Sequence, residues 1–428
     1  MEIMKMLKHE VSLITFKLML SACFLLFICS CNDDNPANPD KTLKYPFYST
    51  ELKLPQSQSP LLLSDFLTSR HLDYHQFGYN FCGSLINNGD TLGFFIAIEY
   101  AEGEGYRGGV GFSQNEEAGY NWTGFYNSTV EISTSPWSMK LVNSQVPQNF
   151  VKIELTSGLM GAAGAVYKLT ADVLDSKGKI LKTDVRLVDN YGAINQGYGT
   201  TSHYPHYLTE IQRTLVMNQP NKTIDEYLTA TKDSMAWQGS YYYAIPLMDV
   251  EQYNIEYDGK TLSGTNGKSW LDYFVKSYNS ESLAKQAGSK WDWIAIQLPD
   301  INTAINILKI SSNITGTLSL ARLFNSNSEK TPNGAHNAAY SWGIDKIKVE
   351  CIGDEWATPY GQKYNMKYKI TLESATYPGE LTVTMLRLNQ AVSLPEGSNY
   401  QGIGIVTGSL KGQPVNGRCW VEVQPVGL

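Results

Sequence analysis

A period of two residues governs this chain. Residues Lys363–Leu372 (KYNMKYKITL) put Tyr364, Met366, Tyr368, Ile370 and Leu372 on one side, with mostly Lys and Asn on the other. That is the pattern of a half-buried antiparallel strand. Hairpins repeat it. Tyr79–Ile86 and Thr91–Tyr100 flank Asn87-Asn88-Gly89-Asp90, Val166–Leu174 and Lys179–Val188 flank Asp175-Ser176-Lys177-Gly178, and Gln252–Tyr257 and Lys260–Leu262 flank Asp258-Gly259. Asn-Gly and Asp-Gly pairs supply the positive φ that tight hairpins require. Helical signals are few and short: Ser59-Pro60 ahead of LLLSDFL, the capping-box spacing Thr223-x-x-Glu226, and a turn or two at Glu281–Gln286. The expectation is an all-β protein of sandwiches or barrels, with few short helices.

The first thirty residues read as an export signal outside the fold. Lys5 and Lys8 precede a short apolar core, Leu18–Ile28, too short to span a membrane. Ile28-Cys29-Ser30-Cys31 is similar to a bacterial lipoprotein cleavage site, making Cys31 the expected lipidation site, and Asn32-Asp33-Asp34 resembles a surface-export tag. An ordinary cleaved secretory signal is the alternative. The expected location is the bacterial outer membrane, periplasmic or surface-exposed, with the membrane contacted only through the lipid anchor. Residues 31–44 form a Pro-rich, polar tether. The length beyond it suits two domains, 45–235 and 236–428, divided near the polar stretch Thr209–Lys232. Both halves carry an aromatic strand, a turn and a Gly-rich return, which hints at duplication of one barrel. A net charge of −7 without basic runs argues against a nucleic-acid partner. Cys82, Cys351 and Cys419 make neither a disulfide framework nor a zinc pattern. A Cys351–Cys419 bridge is possible in an oxidising compartment, and free buried thiols are the alternative.

The chemistry concentrates between Gly264 and Leu298. Trp270, Trp291 and Trp293 are three of the nine tryptophans, and Asp272 and Asp292 lie among them. On a strand Trp291 and Trp293 share one face and Asp292 takes the other, turned outward or paired with a lysine such as Lys290. The indoles could wall an apolar pocket holding Asp272 as a lone acid; equally, they could be barrel core, with Asp272 a strand-end residue bonding backbone amides. A carboxyl buried among aromatics has its pKa raised by desolvation and can keep a proton near neutral pH. His203 and His206 have a His-x-x-His spacing, but Pro205 between them breaks a helix, so no metal is expected. Glu422 is either structural or a second pocket acid.

Four segments resemble one known family, the two-domain lipocalin-like proteins that include carotenoid 1,2-hydratase and the AttH-type predicted secreted hydrolases. They are Trp237–Pro246 (WQGSYYYAIP), Gly264–Asp272, Trp291–Leu298 (WDWIAIQL) and Tyr400–Val423. The resemblance implies two antiparallel β-barrels side by side, with an apolar cavity inside or between them and no cofactor. It places the family's acid at Asp272, a candidate general acid, with Trp270 two positions before it. Tyr241, Tyr243, Trp270, Trp291 and Trp293 become the expected ligand-binding wall. Tyr241-Tyr242-Tyr243 stands where hydratases carry His-x-Trp, Asp272-Tyr273 replaces Asp-His, and Tyr400-Gln401-Gly402 replaces Trp-Glu-Gly. These departures argue against carotenoid hydration, and no G-x-S-x-G elbow supports a hydrolase. Three readings follow. The first is binding of an apolar small molecule (isoprenoid, polyketide or lipid). The second is a cofactor-free hydro-lyase, isomerase or cyclase using Asp272. The third is glycan binding at the cell surface, which requires exposed aromatics on a flat face. The chain leaves the oligomeric state open.

Overall fold

The computed structural model describes Tyr74 and residues 76–113, 120–175, 178–197, 241–276, 290–312, 316–353, 355–391 and 399–426. The expected signal and tether, Cys31, the three helical signals, His203 and His206 lie outside the described residues.

Strands dominate. In the first sheet β1 (Gln76–Asn87), β2 (Asp90–Ala101), β3 (Gly105–Ser113), β4 (Tyr120–Thr134), β5 (Trp137–Asn143), β6 (Phe150–Ser157), β7 (Val166–Leu174) and β8 (Ile180–Asp189) run as an antiparallel meander. The short β9 (Ile194–Asn195) follows, then β10 (Tyr241–Tyr257), β11 (Lys260–Gly264) and β12 (Gly267–Lys276). The turns obey the expected chemistry: Asn88 and Gly89 adopt φ of 50° and 84°, Asp258 and Gly259 φ of 52° and 72°.

β10 closes the ring. Its 17 residues pair with β12 and β11 along one edge and with β9 and β8 along the other. The strand turns this corner through register shifts between Ile245 and Met248 and between Val250 and Gln252. Pro246, which has no N–H to give a ladder, falls in the first of these bulges.

The second sheet starts at β13 (Lys290–Leu298) and continues through β14 (Thr303–Ser312), β15 (Gly316–Phe324), β16 (Tyr340–Ser341) and β17 (Ile347–Cys351). A separate ribbon, β18 (Glu355–Ala357) with β19 (Lys363–Asn365), precedes β20 (Lys367–Leu372), β21 (Gly379–Met385), β22 (Tyr400–Leu410) and β23 (Gln413–Val423). The order β16-β15-β14-β13-β23-β22-β21-β20-β17 is an open half-barrel. Single 3-10 turns at Pro299–Ile301 and Ile344–Lys346 are the helical elements among the described residues. The architecture is therefore the expected two-part, all-β, lipocalin-like fold, realised as one closed ring and one open half-barrel.

The proposed division at residues 235 and 236 does not fall between the sheets. Tyr241–Lys276 completes the first ring, and the second sheet begins at Lys290. The cause is pairing: β10 and β12 find the edges left by β8 and β1 rather than the strands that follow them.

Three apolar layers result. One fills the ring (Phe77, Tyr79, Phe81, Tyr167, Tyr243, Tyr273), and one lines the half-barrel (Ile294, Ile296, Tyr364, Tyr368, Tyr400). The third is a seam where outward faces of both sheets meet, built from Cys82, Phe95, Trp270, Trp293, Phe324 and Trp420. Both sheets belong to one compact unit.

Candidate functional site

The seam gathers the polar residues. In the ladders of β12, Asp272 lies opposite Asn80 of β1 and Ala244 of β10. Its chain neighbours Leu271 and Tyr273 point into the ring core, so strand alternation turns Trp270 and Asp272 toward the seam. On β13 the same alternation sends Trp291, Trp293, Ala295 and Gln297 to the seam and Ile294 and Ile296 to the half-barrel core.

Gln196, just past β9, joins the two residues singled out in the sequence. Its Oε1 accepts from Trp270 Nε1 at 3.1 Å, and its Nε2 donates to Asp272 Oδ1. The Tyr242 hydroxyl also bonds this carboxylate. Burial raises the Asp272 pKa from 3.8 to about 7, and the charge of Glu422 pushes the same way. The bonds from Tyr242 and Gln196 and the charge of Lys276 pull it back. The residue as a whole is half-buried; its carboxyl is enclosed enough that loss of water dominates.

A second carboxyl approaches from β23. Glu422 accepts from Trp291 Nε1 at 3.1 Å and from Asn399 Nδ2 at 2.9 Å, and it bonds Gln401. Burial raises its pKa despite these donors. The Cys82 thiol is pushed up by burial and then by both Asp272 and Glu422, so all three groups share one neighbourhood.

Aromatic rings frame it. Trp270 and Trp293 meet edge to face at 6.0 Å, and Phe95 stacks on Trp420 at 6.0 Å. Two buried polar atoms of the seam residues, Asn80 Oδ1 and Trp293 Nε1, have no hydrogen-bond partner among the described residues.

The expected wall divides in two. Trp270, Trp291 and Trp293 reach the seam, whereas Tyr241 and Tyr243 pack inside the ring. Tyr242 is the residue of that triplet that meets Asp272. Strand propensity marks all three tyrosines alike; the face follows only from the β10–β12 register. Gln196 and Asn80 escaped sequence reasoning, since a lone Gln or Asn carries no motif, and Tyr242 entered it only as the middle residue of the Tyr241–Tyr243 triplet. Asp292 faces the half-barrel side and pairs with Lys309 at 3.8 Å. Burial raises its pKa to about 6, with Lys309 and then Lys290 opposing.

Trp137, Trp270, Trp293, Trp342 and Trp420 are buried and Trp291 and Trp356 half-buried. Cys82, Cys351 and Cys419 are free thiols; Cys82 and Cys419 are buried, but Cys351 is exposed. A shallow groove lined by Glu131, Lys140, Phe150 and Lys152 holds none of the seam residues. No helix among the described residues is long and apolar enough to cross a membrane.

Neither family models nor curated proteins match the chain. Solved structures do. An AttH-type protein of Nitrosomonas europaea is 16% identical, with a TM-score of 0.54 over 82% of this chain and 93% of that one. Kievitone hydratase from Nectria haematococca is 12% identical, with a TM-score of 0.53 over 88% and 99%. CghA, solved with Sch210972, is 11% identical, with a TM-score of 0.53 over 87% and 97%. At these identities the likeness is one of fold, and the fold is the one the sequence resemblance implied.

Proposed function

We propose that the seam binds a largely apolar small molecule and that Asp272, still protonated near neutral pH, acts on it as a general acid without a cofactor. One observation carries the reading: a carboxyl raised to about 7, held by Gln196 and Tyr242 against the Trp270 face of the seam. An acid with its pKa near the working pH balances proton availability against acidity. Protonation of a substrate C=C would leave the Asp272 carboxylate and a cation on the adjacent carbon. Indole faces stabilise such a cation. Capture by water, with the surplus proton returned to Asp272, completes a hydration; loss of a neighbouring proton to Asp272 completes an isomerisation. The similarity in fold to a protein named as a hydratase, and to one solved with Sch210972, supports this class of role.

Mass spectrometry of small molecules extracted from the purified protein identifies the ligand class, and Asp272→Asn separates binding from chemistry. Retained binding with turnover lost by at least about 100-fold supports the acid. Unchanged binding and turnover in both Asp272→Asn and Trp270→Ala would overturn it. Lipidation at Cys31, and with it outer-membrane anchoring, belongs to the same proposal. Metabolic palmitate labelling that Cys31→Ser abolishes supports it, and equal labelling of both proteins refutes it.

A further inference from the structure

Gln196 makes both of its side-chain bonds within the seam, so its backbone must be fixed by something else. Part of the fixing is local. Asn195 pairs with Tyr243 across β9 and β10, Gln196 N–H donates to Ile194 O at 3.0 Å, and Gly197 N–H donates to Tyr242 O at 2.7 Å. The rest comes from the segment between β15 and β16, where His336 O accepts from Asn195 N–H at 2.8 Å, and from β15 itself. Arg322 of β15 is only 2% exposed. Its Nη1 donates to Asn195 O at 2.6 Å and also to Gly197 O, the carbonyls on either side of Gln196. Its Nη2 donates to Asn337 Oδ1 at 2.7 Å, and the guanidinium lies over Phe324 at 5.5 Å.

We propose that Arg322 is a positioning residue for the Asp272 site, gripping the chain on both flanks of Gln196 and so setting the hydrogen bond that Gln196 gives to Asp272. The idea rests on the reading of Asp272 as the acid of the seam. A planar guanidinium can serve two carbonyls and an amide oxygen at fixed angles; an ammonium on a flexible stem cannot hold the same three directions. The bond from Trp270 fixes which end of the Gln196 amide is which, so Nε2 is presented to the carboxyl. A backbone slip of an ångström would break that bond while leaving the strands in place. The half-barrel thus reaches an acid carried by the ring without touching it.

The consequence is a titration effect. Groups that act on Asp272 are Tyr242 from β10, Gln196, Glu422 from β23 and Lys276 from β12. The donor bond from Gln196 favours the carboxylate, so losing it moves the midpoint of Asp272 upward. A residue that merely staples the seam would lower stability and leave the midpoint alone.

The test is carboxyl NMR of the full-length protein labelled with [4-13C]aspartate, the Asp272 signal being the one lost in Asp272→Asn. Gln196→Leu and Arg322→Lys are each expected to raise the midpoint by about half a pH unit or more. The double variant should move no further than Gln196→Leu alone, because both changes remove one bond. A midpoint in Arg322→Lys equal to that of the parent, or shifts that add, would overturn the proposal. Should Arg322→Lys fail to fold, Asn337→Ala decides, since it withdraws only the partner that orients Nη2; an unmoved midpoint there overturns the proposal as well. The titration uses no ligand, so a seam that binds nothing would sink the proposed function and leave this result standing.

Discussion

Glu422 acts on Asp272 from the opposite side of the seam, and its charge pushes the Asp272 carboxyl toward the protonated form. Two carboxyls from two different sheets therefore share one desolvated neighbourhood, with Cys82 sensing both. Glu422→Gln keeps an oxygen for the Trp291 and Asn399 donors and removes the charge. The Asp272 midpoint should fall, by about half a pH unit, in the same carboxyl NMR titration. A midpoint that stays or rises would show that the two groups do not communicate.

The raised acids set the pH dependence of stability. Asp272 goes from 3.8 to about 7, so between those values the native protein holds a proton that the unfolded chain has released. Its contribution is fully present below pH 3.8 and is lost as pH rises through about 7. The span corresponds to at most about 4 kcal/mol, reduced to about 2 by solvent screening at a half-buried residue. Asp189 and Asp292, each raised to about 6 by burial, act in the same direction. Thermal melts at pH 5 and pH 8 check this. Asp272→Asn should gain stability relative to the parent on going to pH 8; an equal difference between the two proteins at both pH values refutes it.

Gln297 is the staple between the sheets. It is 5% exposed, and its Nε2 donates to Pro246 O at 2.5 Å and to Ser269 O at 2.8 Å. Both carbonyls belong to the ring, and the first lies in the bulge at Pro246. Gln297→Met fills the space and leaves both acceptors without this donor, which should lower stability by about 2–3 kcal/mol. Urea denaturation measures it. A loss below about 0.5 kcal/mol would mean that other donors replace Gln297 at no cost.

The alternation in Lys363–Leu372 identified its buried face correctly, since Tyr364, Tyr368, Ile370 and Leu372 are all buried. The same run is nevertheless cut between two sheets at Met366, with β19 pairing β18 and β20 pairing β17 and β21. Period-two patterning reports faces and turns because both are local. Partners are not local, which is why Tyr241–Lys276 joined the ring and not the half-barrel. The seam shows the same division. Trp270, Asp272, Trp291 and Trp293 were legible as unusual residues in a strand context. Gln196 and Arg322 were not, because their roles come from a turn and a strand more than a hundred residues apart meeting across two sheets.

Gly417 lies in the GQPVNG run near the chain's end, and it is needed for a steric reason. A Cβ there would stand 2.1 Å from Gln297 O and 2.8 Å from Leu298 Cδ2. The first of these atoms is backbone and cannot yield, so β23 would have to lift away from β13. Gly412 is the useful contrast. Its φ is +74°, and a Cβ there would meet nothing within 4 Å. Gly412→Ala therefore pays only for the left-handed backbone, about 1 kcal/mol, whereas Gly417→Ala should lose about 2–4 kcal/mol. The strand that lifts carries Trp420 and Glu422, so Gly417→Ala should also weaken the hold of Glu422 on Asp272 and lower its titration midpoint, as Glu422→Gln does. Denaturation curves that rank the two alanine variants equally would show that the β13–β23 contact tolerates a side chain, and that the close approach is not what demands glycine at this position.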